Sequence, residues 1–230
     1  MKNIKGTKLA LLSTVLLAFA ASSQAAPIAI TNFGFEDPAN AGILNGVANG
    51  WAVSNVFGGT WNISGGGFFN TVAPEGSQIL FVGYLGDAAD VSQTPLAATV
   101  QANTTYTLSF FLGRRLDMPL STYSVSLEAN GTTVLASDST GSPTAGDFIS
   151  RTIVFNSGAS PATFGQPLGI FVHASGFSVN GQGAQAEFDA FTLDASPTGL
   201  QTVPEPATFV LLGAGIAGIM LSRRRLQKQN

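Results

Sequence analysis

Tyr123-Ser124-Val125-Ser126-Leu127-Glu128-Ala129-Asn130-Gly131-Thr132-Thr133-Val134-Leu135 decides the fold class. Tyr123, Val125, Leu127 and Ala129 alternate with Ser124, Ser126 and Glu128, the period of two that a strand shows when only one face is buried. Asn130-Gly131 tolerates two successive positive φ values, so the stretch predicts a hairpin closed by a tight primed turn. Thr105 to Phe110 alternates in the same way and places Tyr106, Leu108 and Phe110 on one buried face. Further strands are expected at Gln78 to Val82, Phe148 to Phe155, Leu168 to Ala174 and Ala186 to Leu193. The glycine-rich region from Asn45 to Gly67 reads as long loops, and the body has no convincing amphipathic helix. Short strands at such spacing, punctuated by Gly, Asn, Asp and Ser, predict an all-β fold, a jelly-roll sandwich.

The two ends read differently from the body. Lys2, Lys5 and Lys8 precede the apolar run Leu9 to Ala21 and the small residues Ser23-Gln24-Ala25. That pattern predicts a signal peptide over residues 1–25, a helix cut by signal peptidase before Ala26. At the other end stand Val203-Pro204-Glu205-Pro206, an apolar run of 15 residues from Ala207 to Leu221, and Arg223-Arg224-Arg225. The run is shorter than the roughly 20 residues that cross a bilayer comfortably, but a stretch from Val203 with snorkelling arginines can thin or span it. The arginines then stay cytoplasmic. The expected division is a β-sandwich domain over 26–195, a flexible linker over 196–202, a sorting segment over 203–226 with a transmembrane-like helix at 207–221, and a tail over 227–230.

Removing both ends changes the electrostatics. Residues 26–203 keep three arginines, Arg114, Arg115 and Arg151, against twelve carboxylates, a net charge of −9. Such a domain repels nucleic acid and anionic lipid. The chain has no cysteine, which excludes disulfides and thiolate metal sites. An exported domain of this kind relies on its apolar core or on an oxygen-ligated ion such as calcium. Gly213-Ala214-Gly215-Ile216-Ala217-Gly218 satisfies the dinucleotide-binding glycine pattern, but it has no βαβ unit around it and the chain ends 12 residues on. Small residues that let membrane helices approach explain it better.

The tail, with Pro204, Glu205, Pro206, the apolar run and Arg223, Arg224 and Arg225, resembles the PEP-CTERM sorting signal of Gram-negative bacteria. The resemblance implies recognition by an exosortase, a transient inner-membrane intermediate, and delivery to the cell surface or an exopolysaccharide matrix. Asn32-Phe33-Gly34-Phe35-Glu36, Gly50-Trp51, Pro74-Glu75-Gly76, Val91-Ser92-Gln93-Thr94, Asn103 to Leu108 and Phe188-Asp189-Ala190-Phe191-Thr192-Leu193 follow an order similar to that of galactose-binding-like jelly rolls of the carbohydrate-binding-module type. That resemblance implies a structural calcium ion on Glu36 and Asp189. Two carboxylates from the first and last strands, completed by backbone carbonyls, would clip the chain ends together.

Glycan binding requires aromatic faces for sugar rings and amides for their hydroxyls. Trp61, Phe69 and Tyr84 with Asn62 are the candidates, joined by Phe68, Asn70 and Asp87, whereas Trp51 reads as core. Asp87-Ala88-Ala89-Asp90 reads as a solvated turn. Arg114 and Arg115 are adjacent, so they point to opposite faces and cannot share a ligand; one is expected to pair with Asp117. The single His173 lies in an apolar strand and reads as structural. No Gly-x-Ser-x-Gly elbow or His-Glu-x-x-His zinc motif is present, and no catalytic residue is assigned. The expectation is a non-enzymatic surface protein whose jelly roll binds or organises exopolysaccharide, with a matrix or adhesion protein and a secreted glycan-active enzyme as alternatives.

Overall fold

In a computed structural model that describes residues 25–198, all regular structure is β. The signal-peptide helix, the helix at 207–221 and the sorting residues lie outside the described residues. Twelve strands run in chain order: β1 (Ala26–Ile28), β2 (Ile43–Asn45), β3 (Ala52–Val53), β4 (Gly58–Asn62), β5 (Gln78–Val82), β6 (Ala89–Gln93), β7 (Thr104–Gly113), β8 (Tyr123–Ala129), β9 (Thr133–Asp138), β10 (Phe148–Asn156), β11 (Leu168–Ala174) and β12 (Ala186–Pro197). They form two antiparallel sheets, one of seven strands in the order β10-β7-β12-β5-β4-β2 with β1 added beside β12, and one of five in the order β3-β6-β11-β8-β9. This is the expected jelly-roll sandwich.

The hairpin that decides the fold class is built as its sequence dictates. Asn130 and Gly131 take φ values of 55° and 66°, the two positive angles of a primed turn. Val125, Leu127 and Ala129 enter the core, where they meet Leu108, Phe110 and Leu112 of the facing sheet. Trp51 is core as well, packed against Phe35 and Phe191, with its indole N–H donated to the Thr31 carbonyl at 3.0 Å. Burying each such side chain stabilises the fold by about 1.5–3 kcal/mol.

The seven-stranded sheet is covered on its outer face too. Trp61, Ile63, Ala73, Ile79 and Phe81 form a second buried cluster there, with Phe69 and Phe148 packed against it. Strand β5 is therefore buried at all five positions and apolar from Ile79 to Val82.

Three expectations from the sequence need correction. The region from Asn45 to Gly67 contains β3 and β4, not only loops. Its glycines serve the sheet: a Cβ on Gly59 would lie 2.1 Å from the Leu44 carbonyl oxygen, so the close approach of β2 to β4 requires glycine. Asp87 to Asp90 is not simply a turn, because Ala89 and Asp90 begin β6 and Asp90 faces His173 across the ladder. Strand β12 continues past 195, pairing Ser196 and Pro197 with Thr105 and Thr104. Gly59→Ala is expected to cost about 3 kcal/mol in urea unfolding, as overpacking does. Gly65→Ala, with open space around it, is expected to stay within about 0.5 kcal/mol.

Candidate functional site

A cleft of about 770 Å³ opens on the outer face of the seven-stranded sheet, lined chiefly by Ile43, Phe57, Trp61, Phe68, Phe81, Tyr84, Arg115 and Gln185. The ladder builds it. Ile43 stands opposite Trp61, and Gly59 stands between Asn45 and Phe81 with no side chain to fill the space. Trp61 is only 6% exposed, while Phe68 and Tyr84 are more than a third exposed at the rim. The walls are mostly apolar.

Arg115 supplies the fixed polar edge. Its Nε and Nη2 donate to both oxygens of Asp117, at 2.9 and 2.8 Å, and its Nη1 donates to Gln185 Oε1 at 2.9 Å. The guanidinium plane lies 5.0 Å from the Trp61 ring centre and 4.7 Å from that of Phe68. A planar, delocalised cation is suited to that stacking in a way that lysine is not. The hydrogen bond from Arg115 lowers the Asp117 pKa below the ordinary carboxylate value. Arg115 thus pairs with Asp117, as expected of one of the two arginines, and Arg114 turns elsewhere.

Glu187 is the unusual group. It follows Gln185 by two residues, so both face the same side of the sheet, and the register sets it opposite Phe81 and Gly113. It is fully buried, and neither carboxyl oxygen has a hydrogen-bond partner among the described residues. Burial pushes its pKa up to about 8, while the Arg115 charge pulls the other way. Glu187 does not itself line the cleft; it sits two residues along β12 from the cleft residue Gln185, and its burial favours the neutral, protonated form at neutral pH.

The four glycan candidates separate. Trp61 and Tyr84 line the cleft. Phe69 lies behind Trp61 and stacks on Phe148 with ring centres 5.0 Å apart. Asn62 donates to the Asn40 carbonyl at 2.9 Å and accepts from the Ser64 N–H at 3.0 Å, which makes it a loop fastener. Sequence reasoning missed Gln185 and Glu187. Their alternation with Ala184, Ala186 and Phe188 looks like an ordinary wet face, and no local signal tells that the segment between β4 and β5 covers it. His173 bonds Asp90 at 2.6 Å in a cross-strand pair, in keeping with its structural reading.

Glu36 and Asp189 meet at one segment. Glu36 Oε1 accepts from the N–H groups of Ser77 and Gln78, at 2.7 and 2.6 Å, and Asp189 Oδ2 accepts from Glu75 N–H at 2.8 Å. Burial raises the Asp189 pKa to about 8, and the charges of Glu75 and Glu36 add to the rise. The two carboxylates thus tie segment 75–78 to the chain ends. Among the described residues no group of three acidic, histidine or cysteine side chains stands ready to hold a metal ion, so a calcium ion here needs carbonyl oxygens to complete it.

An aromatic cleft and a sealed acid thus share the covered face of the jelly roll, and comparison with known proteins identifies the family. Residues 26–194 match the HpiC1 cyclase family model, and the chain belongs to this HpiC1-like family. Residues 202–225 match the PEP-CTERM protein-sorting motif, which marks an exported protein that is processed by an exosortase and sorted to the cell surface. The apo form of a cyclase from Fischerella sp. is 30% identical with a TM-score of 0.66, over 76% of this chain and 98% of that one. The Stig cyclase Fisc from Fischerella sp. TAU, in complex with (3Z)-3-(1-methyl-2-pyrrolidinylidene)-3H-indole, is 28% identical with a TM-score of 0.65, over 76% and 99%. A Fischerella sp. TAU cyclase in complex with 4-(1H-indol-3-yl)butan-2-one is also 28% identical at 0.65, over 75% and 98%. No curated protein matches the chain.

Glu187 and Asp189 hold protons in the fold at pH values where ordinary carboxyls, at 4.5 and 3.8, have released them. The native state therefore binds more protons than the unfolded chain, and the stability these groups contribute is full below about pH 4 and lost as pH rises to about 8. The expected result is a melting temperature that falls between about pH 4 and pH 8, with Glu187→Gln recovering at least about 5 °C of the loss at the alkaline end. A pH profile identical in wild type and variant contradicts the neutral-acid assignment.

Proposed function

We propose that this surface-sorted protein takes a planar, largely apolar small molecule, of the indole type its relatives bind, into the cleft over Trp61, and promotes its cyclisation with Glu187 as acid. The observation that carries this reading is Glu187 itself: a fully buried carboxyl without partners, pushed up to about 8, on the face of the sheet that lines the cleft. A structural carboxylate gains nothing from that position, since burying an unpaired polar group costs stability.

The chemistry balances without a co-reactant. Glu187 gives its proton to a carbon or nitrogen of the ligand, a bond closes between two ligand atoms, and a proton lost from the closed ring returns to the carboxylate. The product is an isomer of the substrate. Phe57 and Tyr84, the cleft aromatics not stacked on Arg115, supply the rings that stabilise a cationic intermediate, and the charge of Arg115 is balanced by Asp117. This reading differs from the non-catalytic body expected from the sequence, and the Glu187→Gln comparison below decides between them.

Exopolysaccharide binding at the same cleft is the second reading, favoured by the rim exposure of Phe68 and Tyr84. It is the weaker one here, because sugar hydroxyls need free polar partners, and Arg115 and Gln185, the charged and amide groups beside the aromatic wall, are already bonded to each other, and Arg115 to Asp117 as well. In either reading signal peptidase releases the chain at residue 26, and the tail dwells in the inner membrane before the exosortase acts. Calcium at Glu36 and Asp189 belongs to the proposal as a clip between the chain ends, completed by backbone carbonyls.

Calorimetry of the full chain with 4-(1H-indol-3-yl)butan-2-one tests the cleft: binding is expected, weakened at least about tenfold by Trp61→Ala. Incubation with indoles bearing a reactive side chain is expected to give products of unchanged mass and altered retention, absent with Glu187→Gln. Heat with neutral polysaccharide and none with the indole would establish the second reading instead. For calcium, addition to the chelated chain is expected to raise the melting temperature by about 5 °C; an unchanged temperature removes the ion.

A further inference from the structure

Arg114 opens a second site. Its neighbour Arg115 is committed to the aromatic cleft, and Arg151 is paired with Asp138. Among the described residues Arg114 takes part in no ion pair, and its Nε is buried with no hydrogen-bond partner. Its backbone is fixed at both ends, the N–H donating to the Asp147 carbonyl at 3.2 Å and the carbonyl accepting from Gly146 at 2.7 Å. In a domain with twelve carboxylates and three arginines, a cation left without a partner is the group to explain.

The guanidinium lines a cavity of about 460 Å³ walled by Ser121, Thr122, Ser139, Thr140, Ser142 and Ser178, with the amides of Asn180 and Gln182 beside them. Pro119, Leu120 and Val179 supply the apolar contacts. The loop carrying Ser178 to Gln182 is a closed turn: Ser178 and Gln182 bond through N–H and carbonyl at 2.8 Å, and Gly181 N–H donates to the Ser178 carbonyl at 2.9 Å. Asp138, bonded to Tyr123 and Thr140 of this wall, is already taken: burial opposes its charge, but hydrogen bonds from Arg151, Tyr123 and Thr140 hold its pKa down to about 2. It offers Arg114 no competition.

We propose that this cavity binds a sugar that bears a carboxylate, a uronic acid unit of an acidic polysaccharide. The carboxylate is planar and singly charged, which one guanidinium fork matches by two parallel hydrogen bonds. The serine and threonine hydroxyls and the two amides then meet the sugar hydroxyls, and the volume suits one or two rings. A phosphate asks for more positive charge than one arginine supplies in a domain this acidic. The site is separate from the aromatic cleft and independent of the reaction proposed there. It gives a surface-sorted protein a means of holding to a charged matrix.

The test is calorimetry of the full chain with trigalacturonate, neutral galactotriose, acetate and inorganic phosphate. Trigalacturonate is expected to bind and the neutral sugar not to bind. Arg114→Gln is expected to weaken the uronate at least about tenfold, the effect of losing a charge-assisted pair, while Trp61→Ala leaves it unchanged. Val179 is 89% exposed at the cavity, so Val179→Glu tests the same point without disturbing the fold and is expected to weaken the uronate similarly by repulsion. Equal affinity in wild type and Val179→Glu, or in wild type and a folded Arg114→Gln, overturns the proposal. So does binding of the neutral sugar as tightly as the acidic one, or displacement by acetate or phosphate at equal concentration.

Discussion

A carboxyl group sealed beneath an aromatic layer keeps its place only as a neutral acid. Much of the functional half of this molecule follows from that constraint on Glu187. Strand β12 lies inside the seven-stranded sheet, between β7 and β5, so its inward side chains Phe188 and Leu193 enter the main core. Its outward residues reach water only where that face is left open. It is not open at Glu187, because Trp61, Phe81 and Phe148 close over the sheet. The cost of burying the acid is borne by its proton, and the fold thereby holds a donor that solvent does not titrate at neutral pH.

The same layer explains why Arg115 sits where it does. A guanidinium between two aromatic rings, with its charge matched by Asp117 and its third edge on Gln185, closes one side of the cleft without exposing a free cation to the ligand. Gln185 joins the two halves of the arrangement, since its own amide donates to the Gly83 carbonyl at 3.2 Å. Arg115, Gln185 and Glu187 thus form one polar seam through an apolar wall, and only the last of the three is left without a partner.

What the sequence made legible divides along physical lines. The hairpin at Asn130-Gly131, and the strands at Gln78 to Val82 and Leu168 to Ala174, were readable because periodicity and turn chemistry are local. Strands β2, β3 and β4 were not, because their pairing depends on glycines that let backbones approach, and glycine in isolation reads as a loop. Of the site, Trp61 and Tyr84 were legible as aromatics near glycine-rich segments. Glu187 was not. Its role comes from a covering segment far away in sequence, and two of the other candidates, Phe69 and Asn62, build that cover instead of facing the ligand.

Arg114 and Arg115 show how far one local rule can reach. Neighbouring residues in an extended chain diverge, and that alone forbids a shared ligand. At the end of β7 the divergence sends one guanidinium outward onto Trp61 and the other toward the loops that follow β9 and β11. The first is matched at every nitrogen by a side chain of its own fold. The second meets hydroxyls and no carboxylate, in a domain with carboxylates to spare. An acidic protein that leaves one of its three arginines unmatched at a polyol-lined cavity has, in physical terms, reserved that charge for an anion that arrives from outside.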